Sequence, residues 1–124
     1  MNRLPRAAAL ASALLFGAPA AHGQASPYWV TYAYDAGSGA WGLGWGRTDR
    51  DLTMSEALSR CGRPGCKLGN VTLARCIAVA TGTSRGAGFG AANDAESAKA
   101  HALRFCRSGA SGSTCEVSAV RCGG

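Results

Sequence analysis

Histidine and acidic residues are scarce in this chain, which has two His and seven Asp or Glu. Acid–base catalysis by a histidine needs an oriented partner, and the sequence identifies none for His101. No Ser-His-Asp order with a nucleophile elbow is present either. We therefore expect no catalytic residue. The alternative is a small hydrolase with an unrecognised carboxylate site, for example Asp35 with Glu116.

Long apolar runs are also missing. The one run present, at residues 7–16, is too short to span a bilayer, which needs about 20 residues. Basic residues precede it and small residues follow it, which is the layout of a secretory signal peptide. We predict a signal peptide over residues 1–23, with cleavage after Gly23 or Ala25, and a mature domain over residues 24–124. The protein should be exported, to the periplasm or the exterior, without a membrane span.

The chain lacks the Cys-x-x-Cys pairs that many zinc sites use, although it has six cysteines. An even number of cysteines in a short exported chain indicates three disulfides. The cysteines are Cys61, Cys66, Cys76, Cys106, Cys115 and Cys122. Because disulfide sulfurs are not nucleophiles, we expect no cysteine catalysis. We also expect no metal and no cofactor.

Positive charge exceeds negative charge but is not concentrated. The formal net charge is +6 at pH 7, and the basic residues are spread along the chain among acidic ones. Nucleic-acid-binding proteins usually gather their basic residues on one face or in one run. We therefore expect no nucleic-acid partner, and only a slight attraction for anionic polymers of the cell envelope.

The mature sequence contains one pattern twice. The recurring motifs are an aromatic residue between two glycines, at 44–46 and 88–90, and Ala-Leu-x-x-Cys, at 57–61 and 102–106. Two further cysteines follow in the same order each time. We infer two tandem copies, at about residues 28–76 and 76–122, packed as a single domain around a pseudo-twofold axis.

Each copy is predicted to contain a β-hairpin, a helix and a short closing strand. Aromatic, β-branched and small residues that flank glycine-containing turns predict the hairpins. The predicted strands cover residues 28–34, 40–46 and 67–73 in the first copy, and 76–80, 86–91 and 116–120 in the second. The expected fold class is therefore α+β, stapled by disulfides.

Capping residues predict where the helices begin. In the second copy we expect Asn93 as the N-cap, with Glu96 three residues later as its capping-box partner. The first helix begins at Asp49 or at Thr53, and Thr53 with Glu56 would form a second capping box.

The helices differ in the quality of their apolar faces. Ala98, Ala102 and Cys106 recur at helical spacing in the second helix, whereas the first offers only Leu52, Ser55, Leu58 and Cys61. Alternating glycines at 42–46 and 86–90 leave one face of a strand bare. We interpret this as close approach of a helix. A dinucleotide-binding loop would need a parallel βαβ unit instead of a hairpin.

The repeat also predicts which cysteines pair, because corresponding cysteines of the two copies should have corresponding disulfide partners. The expected pairs are Cys61 with Cys66, Cys106 with Cys115, and Cys76 with Cys122. The last pair would tie the two copies together. The main rival joins Cys61 to Cys76, so that Cys66 pairs with the other half of the chain.

These features together resemble the family known as domain of unknown function 4189. The residues that carry the resemblance are the Trp- and Gly-containing hairpin at 41–46, Ala57-Leu58 with Cys61, Cys66, the strand at 76–79, Ala98, Ala102-Leu103 with Cys106, Cys115 and Cys122. The resemblance covers nearly the whole mature chain. It implies exported bacterial α+β proteins with no established general activity and no catalytic residue to carry over. The chain departs from the family at Thr53, where a small residue is more usual.

Large aromatic residues are concentrated between residues 28 and 45. Exposed aromatic side chains stack on sugars or clamp peptides, so Tyr32, Tyr34 and Trp41 are our candidate binding residues; their alternative role is to fill the core. We expect a non-catalytic binding module of the bacterial envelope, whose partner is an envelope protein or a cell-wall glycan. The alternative is an inhibitor or immunity-type protein that blocks an enzyme in the same compartment, because a rigid scaffold lowers the entropic cost of binding.

Overall fold

The computed structural model describes residues 26–124. The predicted signal peptide at residues 1–23 and its cleavage sites lie outside the described residues. Within the described part, no helix is long and apolar enough to cross a membrane.

The described residues contain two helices and seven strands, which together form an α+β fold. In chain order these are β1 (Trp29–Tyr34), β2 (Trp41–Arg47), α1 (Arg50–Cys61), β3 (Lys67–Leu68), β4 (Thr72–Leu73), β5 (Cys76–Thr81), β6 (Ala87–Ala92), α2 (Ala95–Arg107), a 3₁₀ turn (Gly112–Thr114) and β7 (Glu116–Cys122). The predicted hairpin strands agree with these bounds to within one residue at each end. The predicted closing strand at 67–73 is wrong in one respect, because it is interrupted where the Gly69 N–H donates to the carbonyl of Tyr32 at 2.9 Å.

The strands form two antiparallel sheets. Sheet one has the order β2-β1-β3, with β4 also paired to β1, and sheet two has the order β6-β5-β7. In both sheets the first strand of the hairpin is central, and the closing strand or strands pair with its other edge.

The two sheets pack face to face, and one helix covers the outer face of each, which gives four layers. The side chains buried between the sheets are Val30, Leu43, Ala74, Ile77, Val79 and Ala119. Under α2, alanines and cysteines of the helix meet those of β5. Under α1, Ala57 and Cys61 meet Ala33 of β1.

The glycine-lined faces of β2 and β6 lie under the helices, as expected. A Cβ added to Gly42 would overlap the carbonyl of Ala57, and one added to Gly88 would overlap the carbonyl of Ala102. β6 pairs antiparallel with β5, so the glycines belong to a hairpin and not to a dinucleotide-binding βαβ unit. The absence of side chains at these positions lets each helix backbone approach the sheet closely.

Helix α2 begins one residue later than predicted. Its N-cap is Asp94, whose carboxylate accepts a hydrogen bond of 2.9 Å from the Ser97 N–H. This bond, together with one from the Ser97 hydroxyl, lowers the pKa of Asp94. The prediction of Asn93 as the cap is wrong, because its side chain instead accepts from the N–H of Arg75, just before β5.

Helix α1 is capped by Asp49, so the first of the two predicted starts is correct. The capping box at Thr53 is wrong. Thr53 is fully buried inside the helix, and its hydroxyl donates to the carbonyl of Asp49 at 2.8 Å. Gly44 lies against it and leaves room for its methyl group, which explains how α1 accommodates a threonine on its buried face.

The inward face of α1 also differs from the one predicted. Leu52 and Leu58 are 42% and 38% exposed, while Thr53, Ala57 and Cys61 are buried. The reason is spatial: a helix that touches a glycine-lined strand has no room for leucine on the contact face.

The three predicted disulfides are present. The bonds join Cys61 to Cys66, Cys76 to Cys122 and Cys106 to Cys115. Cys76 and Cys122 are direct cross-strand partners in β5 and β7, with Cα atoms 4.1 Å apart. The rival pairing of Cys61 with Cys76 is wrong, and none of the cysteines in the described residues is free.

Candidate functional site

Clefts open around the rims of the two stacked sheets. One of about 500 Å³ lies between the β3–β4 edge of sheet one and the β6 edge of sheet two. Its side walls include Tyr32, Phe89 and Phe105, and we call it the Tyr–Phe cleft. A cleft of about 330 Å³ lies on the opposite side, between β2 and β7. A third cleft, of about 370 Å³, adjoins the β1–β2 turn, and we call it the turn cleft.

Stacked aromatic rings join the sheets at the Tyr–Phe cleft. The ring of Tyr32, from β1, lies flat on that of Phe89, from β6, with centroids 3.8 Å apart and planes 3° from parallel. Tyr34 meets Phe89 edge-on at 6.1 Å, and its hydroxyl donates to the carbonyl of Arg85. The two sheets are therefore held in a fixed relation where this cleft opens.

Helix α2 supplies an exposed aromatic ring to the same cleft. Phe105 is 56% exposed. His101, one turn earlier, is half-buried, and its Nδ1 lies 3.4 Å from the carbonyl of Ala91. Asn70 and Thr72 add polar groups from the opposite wall. An apolar ring surrounded by hydrogen-bonding groups is suited to a ligand with one apolar face and a polar rim.

The cleft between β2 and β7 combines tryptophan with arginine, and we call it the Trp–Arg cleft. Trp41 and Trp45 line it from β2, Arg60 from the last turn of α1, and Arg121 from β7. The guanidinium carbon of Arg60 lies 4.3 Å from the Trp45 ring centroid, and that of Arg121 lies 5.7 Å from it.

The third cleft holds the acidic residue that we weighed for catalysis. Asp35 accepts hydrogen bonds from the Ser38 hydroxyl and the Gly37 N–H, and these lower its pKa. A lowered pKa makes a carboxyl a poor proton donor near neutral pH. Its proposed partner, Glu116, lies opposite Thr81 at the start of β7 and lines none of the three clefts.

The three candidate binding residues are all partly buried, and they face the interior between the sheets. Tyr34 and Trp41 are direct cross-strand partners, yet they line different clefts. Tyr32 lines both the Tyr–Phe cleft and the turn cleft, Tyr34 lines the turn cleft, and Trp41 lines the Trp–Arg cleft. Trp29 faces the other way, beneath Arg50 at the start of α1.

Sequence reasoning did not select Phe89, Phe105, Arg60 or Arg121. One signal was available for Phe105: it is a large apolar residue that lies off the Ala98–Ala102–Cys106 face. The arginines carried no comparable signal, because nothing in the sequence brings residues 60 and 121 together. Over residues 26–124, no group of three His, Cys, Asp or Glu side chains is placed to hold a metal ion.

The comparison with protein families now identifies this domain. The family model described as Domain of unknown function (DUF4189) matches residues 29–122. The chain belongs to this family. The match begins at the first residue of β1 and ends at the last residue of β7, so the DUF4189 domain includes both sheets and both helices, as the motifs predicted. No curated protein and no solved structure matches the chain.

Proposed function

We propose that this DUF4189 domain is an exported, non-catalytic binding module of the bacterial envelope, and that its Tyr–Phe cleft binds a sugar ring of cell-wall glycan. The observation that carries the proposal is the exposed ring of Phe105 at the mouth of a cleft of about 500 Å³. Sugars present an apolar face that stacks on aromatic rings and hydroxyls that need polar partners.

The remaining walls of the cleft support this assignment. Asn70, Thr72 and His101 contribute hydrogen-bonding groups. Tyr32 has a supporting part, because its stack with Phe89 fixes the wall opposite Phe105. Tyr34 and Trp41 would be binding residues of two other clefts, Tyr34 of the turn cleft and Trp41 of the Trp–Arg cleft.

A binding assay with purified cell wall tests the proposal. The oxidised protein should sediment with the wall, and Phe105→Ala should abolish this with little change in melting temperature, since the ring is 56% exposed. The matched control is Leu73→Ala, which removes a side chain of 47% exposure that lines none of the three clefts.

Two results would contradict the proposal. Equal sedimentation of Phe105→Ala and wild type would remove the cleft from the binding surface. If the protein does not sediment with the wall but forms a stoichiometric complex with a single envelope enzyme, the inhibitor function is favoured instead.

Export is part of the proposal, and its support is the signal-peptide pattern together with the three disulfides. Intact-mass measurement of protein from the periplasm or the medium should give a chain that begins at Gln24 or Ser26. A product that still begins at Met1 would contradict it.

We also propose that the domain arose by duplication and that its halves are related by a pseudo-twofold axis. The support is the recurrence of hairpin, helix and closing strand. In each sheet the first strand of the hairpin, β1 or β5, is the central strand. The axis would run along the strands between the two layers, and it would exchange the Tyr–Phe cleft with the Trp–Arg cleft.

A further inference from the structure

The Trp–Arg cleft lies where α1 reaches around the edge of its sheet. Helix α1 packs on the outer face of sheet one, yet the Arg60 side chain extends past β2 towards the inner side. Its Nη1 donates to the carbonyl of Leu43 at 2.7 Å, and its guanidinium covers the Trp45 ring at 4.3 Å. Because β2 is an edge strand, that carbonyl has no strand partner on its outer side. Arg60 is therefore anchored at two points.

A second guanidinium approaches the same ring from the other sheet. Arg121 lies 5.7 Å from the Trp45 centroid, and its Nη1 donates to the carbonyl of Val120 at 2.9 Å. Within residues 26–124, no carboxylate lies within 4.0 Å of Arg121. Two like charges thus share one aromatic ring at the rim of a cleft. An anion would relieve the repulsion between them.

One neighbouring carboxylate offsets part of the positive charge at the Trp–Arg cleft. Glu56 lies 3.7 Å from Arg60, but its carboxylate is closer to Arg47, at 2.8 Å. Glu56 therefore offsets only part of the positive charge at the cleft. A guanidinium has five N–H donors, so both arginines retain donors for a carboxylate after the backbone bonds described above.

We propose that the Trp–Arg cleft binds a carboxylated sugar, with its carboxylate on Arg121 and Arg60 and its ring against Trp41. Paired N–H donors match a carboxylate in geometry as well as in charge. The volume of about 330 Å³ is at the small end of the range for ligand sites, which suits one monosaccharide unit. This site lies on the opposite side of the sheets from the Tyr–Phe cleft.

Titration with glucuronate, glucose and glucose 6-phosphate tests the proposal by calorimetry and by NMR of the Trp indole N–H signals. We expect saturable binding of glucuronate that shifts the signals of Trp41 and Trp45 and leaves that of Trp29 in place. Glucose should not bind here, because it has no anionic group. Glucose 6-phosphate should bind more weakly than glucuronate, because its phosphate is separated from the ring by a CH2–O link and its ring would be displaced from Trp41. Tighter binding of the phosphate, equal binding of glucose, or no shift at Trp41 and Trp45 would each overturn the assignment.

The variant for this test is Arg121→Gln. Arg60 bonds the carbonyl of Leu43 in the edge strand β2, so its loss would disturb that strand, whereas within residues 26–124 the Arg121 side chain hydrogen-bonds only the carbonyl of the preceding residue. Arg121→Gln should weaken glucuronate about tenfold or more, the worth of a charged hydrogen bond. Arg107→Gln is the matched control: it removes the same charge from an exposed position in the last turn of α2 and should bind as wild type. Equal weakening by both variants would show a general charge effect and refute the site. The Phe105→Ala sedimentation result is measured separately, so the two proposals can fail independently.

Discussion

At the scale of single residues, the most informative contact is the stack of Tyr32 on Phe89. The rings are parallel at 3.8 Å, and they belong to different sheets, 57 positions apart in the sequence. Neither strand's own pattern reveals the contact. Alternation along β1 puts Tyr32 and Tyr34 on one face and Trp29 on the other, but it does not indicate what lies opposite.

A double-mutant cycle should measure this stack. Tyr32→Leu and Phe89→Leu should each destabilise the domain, and the pair should show a coupling free energy of about 0.5–1.5 kcal/mol, the usual value for aromatic pairs. Urea denaturation of the four proteins supplies the numbers. Strictly additive losses would mean that the rings touch without a specific interaction.

At the scale of elements, each helix rests on a strand whose facing residues are glycines. In α2 the contact is made by the backbone around Ala102 and Cys106, which a Cβ on Gly88 would overlap. The repeated Gly-aromatic-Gly motif predicted this close approach in both halves. The start of α2 was missed by one residue, because Asn93 and Asp94 are both good caps and only the tertiary bond of Asn93 to Arg75 decides between them.

Gly88→Ala should therefore destabilise the domain by about 1–3 kcal/mol, the usual cost of overpacking a tight interface. Gly109→Ala is the control, since a Cβ there would lie at an ordinary 3.5 Å from the nearest carbonyl oxygen. Thermal unfolding of both variants checks the difference. If Gly88→Ala has the same melting temperature as the control, the helix has space to move away and the close approach is not required.

At the scale of the whole molecule, the three disulfides close loops of very different length. Cys76 and Cys122 are 46 positions apart, whereas Cys61 and Cys66 are 5 apart. The entropy that each bond removes from the unfolded chain grows with the length of the loop. The pairing was predictable because the cysteines recur in register, but the positions of Arg60 and Arg121 around one tryptophan depend on how the sheets stack.

Removing the disulfide that closes the long loop should cost more stability than removing the disulfide that closes the short loop. The chain-entropy relation gives about 4 kcal/mol for the Cys76→Ala, Cys122→Ala double variant and about 2 kcal/mol for Cys61→Ala, Cys66→Ala. Denaturant unfolding of the two variants gives the comparison. The reverse order would show that strain or packing, rather than loop closure, determines what each bond contributes.

The glycine-lined contacts have a consequence for how stability depends on temperature. Among the apolar residues that are buried within residues 26–124, only Val30, Leu43, Ile77 and Val79 are larger than cysteine, so unfolding brings little aliphatic surface from the core into water. The heat capacity increment of unfolding rises with the apolar area that becomes hydrated. A smaller increment flattens the curve of free energy against temperature. This domain should therefore keep a more even stability between cold and warm surroundings than one of equal length with a leucine-rich interior.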